Sequence, residues 1–347
     1  MSNRESEGTS FRPDIQGLRA LAVLFVVFYH ARFPFFSGGY VGVDVFFVIS
    51  GYLISGLLLR EMERTGSIAL LNFYARRIRR LLPAASVMLL ATMVMARLWL
   101  SPLEQVELAP SVFFSAVYAS NLWFASRATD YLAGDVHDNL LLHTWSLSVE
   151  EQFYLVWPAL ILLAARIRVA RQLRTRVLVA MAVLFGVSLG IGLWVTKVSQ
   201  PWAFFGSPMR AWEFAAGGLA FMLTRRVARW PDGIRNGLVA LGFAVTVCAV
   251  LLFDDRTPFP GLAALVPVGG TALMIVAGTG RGFMTRWLGT PVMQLIGNIS
   301  YSWGSASSLD CTACSQIVKF SWGEALSACR RTVTPATGFP CKSSTRP

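Results

Sequence analysis

Charge is scarce in this sequence: 14% of its 347 residues are Asp, Glu, Lys or Arg, where water-soluble globular chains carry about 25%. That shortage excludes an ordinary pair of soluble domains, which the length alone would suit. Cysteine is scarce too. Ahead of residue 304 only Cys248 occurs, in an apolar run where a small buried hydrophobe is expected, so no disulfide framework is available to that part of the chain. A basic leader is lacking as well: residues 1–10 are polar and lead into no cleavable signal architecture, so the first apolar run is expected to be retained as a span. What is abundant is apolar surface, 54% of the chain. The formal net charge of +12 could suggest nucleic acid, but the Lys and Arg residues gather in short segments between apolar runs of about 20 residues, the pattern of positive-inside loops. No nucleic-acid partner is expected; membrane lipids are.

A helix needs about 20 apolar residues to cross a hydrocarbon layer of roughly 30 Å. Such runs fall at 15–36, 40–59, 82–100, 143–165, 177–195, 209–223, 238–253 and 261–277. Segments 60–80, 166–176, 225–235 and 281–286 are arginine-rich and expected in the cytoplasm, whereas 97–142, 196–208 and 254–260 are acidic or nearly neutral and expected outside. Parity then makes the short apolar stretch 111–125 a re-entrant or interface-lying segment on the outer side, or else two crossings. The fold predicted is an all-α polytopic transmembrane helix bundle of about eight complete spans with an incomplete ninth. A cytoplasmic N-terminal tail occupies 1–14, the membrane domain 15–303, and an atypical tail, expected to be disordered, 304–347.

Charges inside spans cost a few kcal/mol each on insertion scales, so each marks a candidate functional position facing the bundle interior. Arg19 and His30 stand eleven positions apart in the first span, about 16 Å along a helix and within roughly 20° of one face. Depth counting places Asp44 and Glu150, near the starts of descending spans, and Arg210 and Glu213 in the outer-half layer of His30, with Arg19 and the cluster Arg76, Arg77, Arg79, Arg80 towards the inner face. An imidazole beside carboxylates in a dry pocket suits general-base work on a hydroxyl. His30, Glu150 and Asp44 are therefore the candidate catalytic groups, and His143, Ser146, Arg210 and Glu213 the candidate substrate contacts. Plainer explanations exist for each. A lone intramembrane His or Asp can be a packing hydrogen bond. Four arginines can be a stop-transfer signal or an anion site for phosphates. The glycines of 38–42, Gly51 and Gly56 can serve close helix approach, and Trp145, Tyr154 and Trp157 can be interface anchors. Several spans contributing at one depth argue for chemistry.

Six segments in order carry a resemblance: RPDIQGLRALAVLFVVFYH at 12–30, GGYVGVDVFFVISGYLISGLL at 38–58, RRIRRLLPA at 76–84, LLHTWSLSVEEQFYLVWP at 141–158, PMRAWEFAAGGLA at 208–220 and LIGNISYSW at 295–303. Together they resemble the membrane acyltransferase-3 family, bacterial O-acyltransferases of envelope glycans. The resemblance implies a multi-pass protein of the bacterial inner membrane that uses no permanently bound cofactor and no metal. It implies transfer of an acyl group, usually acetyl from cytoplasmic acyl-CoA, to a hydroxyl of a cell-envelope glycan. Carried over by position, Arg19 and His30 look like the family's paired Arg and His, with His30 essential for transfer. The arginines of 76–80 look like its RxxR element, in one of two registers, Arg76/Arg79 or Arg77/Arg80, and are expected to bind the acyl-CoA. Glu150 looks like the acid of its SLSxE element, and Glu151 falls where that pattern is free. Lipopolysaccharide, peptidoglycan, capsule or a secreted small molecule would each serve as acceptor, and His30 would either deprotonate the hydroxyl or carry the acyl group.

After Trp303 the pattern stops: 304–347 has no 18-residue apolar run and four of the five cysteines, which suggests a truncation or frameshift scar, with activity lost or retained by the eight-span core. The pair Cys311 and Cys314 lacks the second CxxC or nearby His that a metal site needs. A secondary transporter or exporter would also hold buried charges, but predicts inverted repeats with interrupted helices, which the sequence does not display. A structural subunit would leave His30 and its carboxylates unexplained.

Overall fold

The computed structural model describes residues 12–130, 139–166, 172–254, 256–280 and 282–298. The tail 304–347, with Cys311 and Cys314, lies outside them, as do residues 1–11. The described residues are helical, with no strand among them. The helices are α1 (Pro13–His30), α2 (Gly42–Thr65), α3 (Leu70–Trp99), α4 (Pro102–Ala116), α5 (Ser120–Thr129), α6 (Thr144–Arg166), α7 (Leu173–Val198), α8 (Gln200–Phe205), α9 (Ser207–Val227), α10 (Asp232–Leu252), α11 (Leu265–Ala277) and α12 (Phe283–Leu288). Residues 291–298 are helical as well.

Local chemistry explains the boundaries. Pro13 opens α1 at a position whose N–H would be unpaired in any case. Gly66 closes α2 at φ 73°, a left-handed cap that a residue with a Cβ resists. Ser101 and Glu104 close the start of α4 as a reciprocal capping box.

Among the described residues, five helical segments are long and apolar enough to cross a membrane: Gly39–Thr65, Leu70–Trp99, Thr144–Arg166, Leu173–Val198 and Asp232–Leu252. The eight expected spans are therefore not equivalent. The runs expected at 15–36 and 209–223 form α1 and α9, which are long enough but charged, and 261–277 yields α11, whose 13 residues extend only about 20 Å. The first span ends at His30, and residues 31–38 form turns instead of more helix. The third starts at Leu70, twelve residues before its apolar run, because arginine is a good helix former; hydropathy locates what lipid accepts, not where a helix begins. The stretch 111–125 proves to be parts of two helices, α4 and α5, broken at Val117–Ala119 where Tyr118 takes φ 53°. Neither is long enough to cross.

The centre of the bundle is α2 against α9, with α7 on the far side of α9, α1 and α6 on α2, and α10 with α11 alongside. Two glycines make that central contact. A Cβ at Gly51 would lie 2.0 Å from the Phe214 carbonyl oxygen, and one at Gly217 would lie 2.0 Å from that of Val48. The backbones touch there, as expected for small residues between membrane helices. Around them Phe214 stacks on Phe47 (4.7 Å between centroids) and on Phe153 (3.8 Å). Trp145, Tyr154 and Trp157 are core residues, 6%, 7% and 1% exposed, instead of interface anchors. Cys248 goes the other way: it lies on the exposed face of α10, where an apolar run turns small residues to lipid as readily as to the core.

Candidate active site

The polar side chains singled out in the sequence fall into three groups. The first is sealed. Arg210 Nη2 lies 3.1 Å from Asp44 Oδ1, and its Nη1 lies 3.0 Å from Glu213 Oε1. All three residues are fully buried, and the guanidinium carbon sits 5.6–5.9 Å from the rings of Phe47, Trp145, Phe204 and Phe259. Asp44, expected to orient His30, and Arg210 and Glu213, expected to contact substrate, are instead paired with one another. Gly42 faces Ala22 and Val26 on α1, and Asp44, two residues on, points about 200° away from it towards α9. Helix periodicity turns the carboxylate from the imidazole, and the arginine claims it.

The second group is His30 with His143. His30 is the last residue of α1 and is exposed. Its Nδ1 lies 2.8 Å from the Val26 carbonyl oxygen. A carbonyl only accepts, so Nδ1 carries the proton and Nε2 of the neutral ring keeps its lone pair. A backbone carbonyl thus does the orienting that sequence reasoning assigned to Asp44 or Glu150. His143, in the turn before α6, lies within electrostatic range of His30 and hydrogen-bonds the Leu140 backbone. Its Nε2 is buried without a partner. Ser146 donates to the His143 carbonyl at 3.2 Å, bracing the turn that presents the ring. The turn is held further by Asn139, whose amide nitrogen donates to Ser111 Oγ at 2.8 Å and whose Oδ1 accepts from Leu141 N at 2.9 Å.

The third group lies deeper. Glu150 accepts hydrogen bonds from Ser50 of α2 and from Tyr154 one turn along α6. Tyr154 in turn supports the Arg77 guanidinium, 3.8 Å above its ring centroid. Arg19 is in electrostatic contact with Glu150, Tyr154 and Arg77, and Arg80 joins the same set. Glu151 adjoins Glu150, Arg77 and Arg80, with Oε1 buried and unpartnered. Three arginines against two carboxylates leave a net charge of +1 (3 − 2) when all are ionised. Of the RxxR arginines, Arg77 is half-buried over Tyr154 and Arg80 is in electrostatic range of Arg77 and Arg19, while Arg76, Arg79 and Arg80 are all exposed. The structure also moves Glu150 out of the His30 layer. His30 to Arg19 is about 16 Å along α1, and His143 to Glu150 is about 10 Å in rise, which sets the histidines at one level and Arg19 and Glu150 at another. Sequence reasoning missed the hydroxyls on Glu150. Tyr154 was legible as its i+4 neighbour; Ser50, 100 positions away, carried no signal.

This arrangement of a charged Arg–Glu floor below a free imidazole coincides with the segments that a family model recognises. The model described as an acyltransferase domain matches residues 12–302. The chain belongs to the acyltransferase-3 family. Among its relatives, it is 30% identical over 297 residues to the peptidoglycan O-acetyltransferase OatA of Listeria monocytogenes, covering 83% of this chain and 47% of that protein. It is 32% identical over 272 residues to the putative peptidoglycan O-acetyltransferase YrhL of Bacillus subtilis, covering 76% and 43%. It is 30% identical over 303 residues to the O-acetyltransferase OatA of Staphylococcus aureus, covering 84% and 49%. The chain thus spans about half the length of the relatives it matches. No solved structure matches it. Every side chain of the second and third groups falls within the matched acyltransferase-3 region, as does the sealed triad.

Proposed function

We propose that this protein is a membrane-embedded O-acetyltransferase that moves an acetyl group from acetyl-CoA to a hydroxyl of a cell-envelope glycan. The acceptor we infer is peptidoglycan, which the names of the Listeria monocytogenes and Bacillus subtilis relatives give. The observation that carries the reading is the free Nε2 of His30, about 16 Å along α1 from a cationic cluster of Arg19, Arg77 and Arg80. The separation suits a donor whose phosphates and whose reactive thioester lie at opposite ends of a long flexible arm. The arginines would hold the phosphates as charge-assisted hydrogen-bond donors, with Glu150 and Tyr154 fixing the cation positions. His30 would present its lone pair at the acyl carbon or at the acceptor hydroxyl. Overall the thioester C–S bond breaks, an ester C–O bond forms, and the hydroxyl proton ends on the CoA thiol. With α1 starting from the cytoplasmic side of the inner membrane, the arginines face the cytoplasmic donor and His30 the outer surface.

The test uses the purified full chain in nanodiscs, acetyl-CoA and a soluble peptidoglycan fragment. Free thiol should appear together with acetylated glycan, and His30→Ala should abolish both while leaving the melting temperature unchanged. Transfer by that variant at the native rate would remove His30 from the chemistry. Binding of the glycan without any thiol release would replace the enzyme by a transporter.

A further inference from the structure

Helix α3 carries cations on two sides. Arg77 turns inward, its guanidinium carbon 3.8 Å from the Tyr154 ring centroid, and Tyr74 donates to the Leu155 carbonyl oxygen at 2.8 Å. These contacts tie the start of α3 to α6. Arg76 and Arg79 take the outward side. With Asn72 they recur at spacings of four and three residues, one stripe of a helix, and all three are exposed. The stripe continues through the exposed Pro83 to Val87, Leu90 and Val94, which are 62%, 62% and 60% exposed. Apolar side chains so uncovered on a spanning helix face lipid tails. The stripe ends on exposed Arg97, 18 positions after Arg79. That is about 27 Å of helix, against a hydrocarbon layer of roughly 30 Å. Arg79 and Arg97 therefore stand at its two boundaries, which sets Arg76 and Arg79 at the level of lipid headgroups on the arginine-rich side of the membrane.

What these two cations lack is an anion. Helix α3 contains no Asp or Glu, and among the described residues no carboxylate pairs with Arg76 or Arg79. The acids at the end of α2 are engaged elsewhere: Glu61 accepts from Ala69 N at 2.9 Å, and Glu63 lies 2.5 Å from Arg174. A second copy of this chain laid symmetrically on the stripe would set arginine against arginine. A lipid phosphate is an anion held at this depth that reaches the stripe from the bilayer, and a guanidinium meets phosphate oxygens with paired N–H donors. We propose that Arg76 and Arg79 form a site for an anionic phospholipid headgroup on the lipid-facing side of α3. The lipid's tails lie along Val87, Leu90 and Val94, and Asn72, one turn nearer water, offers its amide to the headgroup. Lipid thus holds from outside the helix segment that Tyr74 and Arg77 hold from inside. The site itself does not depend on the acyltransferase reading.

The experiment places the full chain in nanodiscs of phosphatidylcholine, alone or mixed with phosphatidylglycerol, and reads thermal melting together with retained lipid by native mass spectrometry. The native chain should retain phosphatidylglycerol in preference to phosphatidylcholine and melt higher in the mixed nanodisc. The double variant R76Q/R79Q should retain about thirtyfold less phosphatidylglycerol, about fivefold per arginine, and lose the rise in melting temperature. It should match the native melt in phosphatidylcholine, which shows that it folds. R76K/R79K should stay within about threefold of native, because a headgroup phosphate responds chiefly to charge. Retention by R76Q/R79Q within about threefold of native overturns the site. Two outcomes on the native chain alone overturn it as well: equal retention of both lipids, or displacement of phosphatidylglycerol by millimolar CoA, which would return both arginines to the donor's phosphates. No acyl transfer enters these readouts, so failure of the lipid site is distinct from failure of the acyltransferase reading.

Discussion

Replacing Arg210 with Met tests whether the sealed triad is what holds α9 to α2. The substitution keeps a long apolar stem and removes the one cation that lies 3.1 Å from Asp44 and 3.0 Å from Glu213. All three side chains are fully buried and walled by four aromatic rings, so neither carboxylate can recover its loss by solvation. Breaking a buried pair from one side costs about 3–5 kcal/mol. At about 2 °C per kcal/mol for a domain of this size, the melting temperature should fall by roughly 6–10 °C. The assay is tryptophan fluorescence during heating in detergent, at one scan rate for all variants because membrane proteins often unfold irreversibly. Arg210→Lys should fall between the two, since a point ammonium cannot span both carboxylates as the guanidinium fork does. The triple variant D44N/R210M/E213Q, which removes all charge at similar volume, should regain much of the loss. An Arg210→Met melt within about 2 °C of native would refute the reasoning, for it would mean that the carboxylates were never dependent on the cation.

Gly51→Ala and Gly217→Ala should each destabilise by about 1–3 kcal/mol, because the new Cβ would meet a carbonyl oxygen at 2.0 Å; unchanged melting curves would contradict the backbone contact. Arg77→Ala should raise the KM for acetyl-CoA about tenfold or more while Arg76→Ala leaves it within about twofold, since only Arg77 turns to Tyr154 and Arg19; equal effects in steady-state kinetics would undo the assignment of register. Tyr154→Phe removes one hydroxyl from Glu150 and should cost about 1 kcal/mol of stability by the same melt, with a null effect counting against the network. Glu104, at the start of α4, accepts hydrogen bonds from the Ser101 backbone and pairs with its side chain, which holds its carboxyl below the ordinary value. A group depressed on folding stabilises above its unfolded pKa, and that support fades as pH falls through its folded one. An NMR titration should find the Glu104 carboxyl below the ordinary carboxylate value, and an unshifted carboxyl would remove the cap.

The sequence by itself determined that this chain is a helical membrane bundle. Solvent partition depends on composition over about 20 residues, and the runs, arginine clusters and capping residues are all local quantities. It also marked the charged residues of the sealed triad and of the Arg19–Glu150 cluster, because a charge in an apolar run is conspicuous wherever it ends up. Tertiary structure alone decided which of those residues meet. Asp44 and Glu150 are both carboxylates near the starts of helices, yet one is locked to Arg210 and the other is tied to Ser50 and Tyr154 beside Arg19. Depth counting gives a coordinate along each helix and nothing about rotation around it. A turn of 100° per residue sends neighbours to different partners, and that rotation is set by contacts such as Gly51 on Phe214, between residues 163 positions apart.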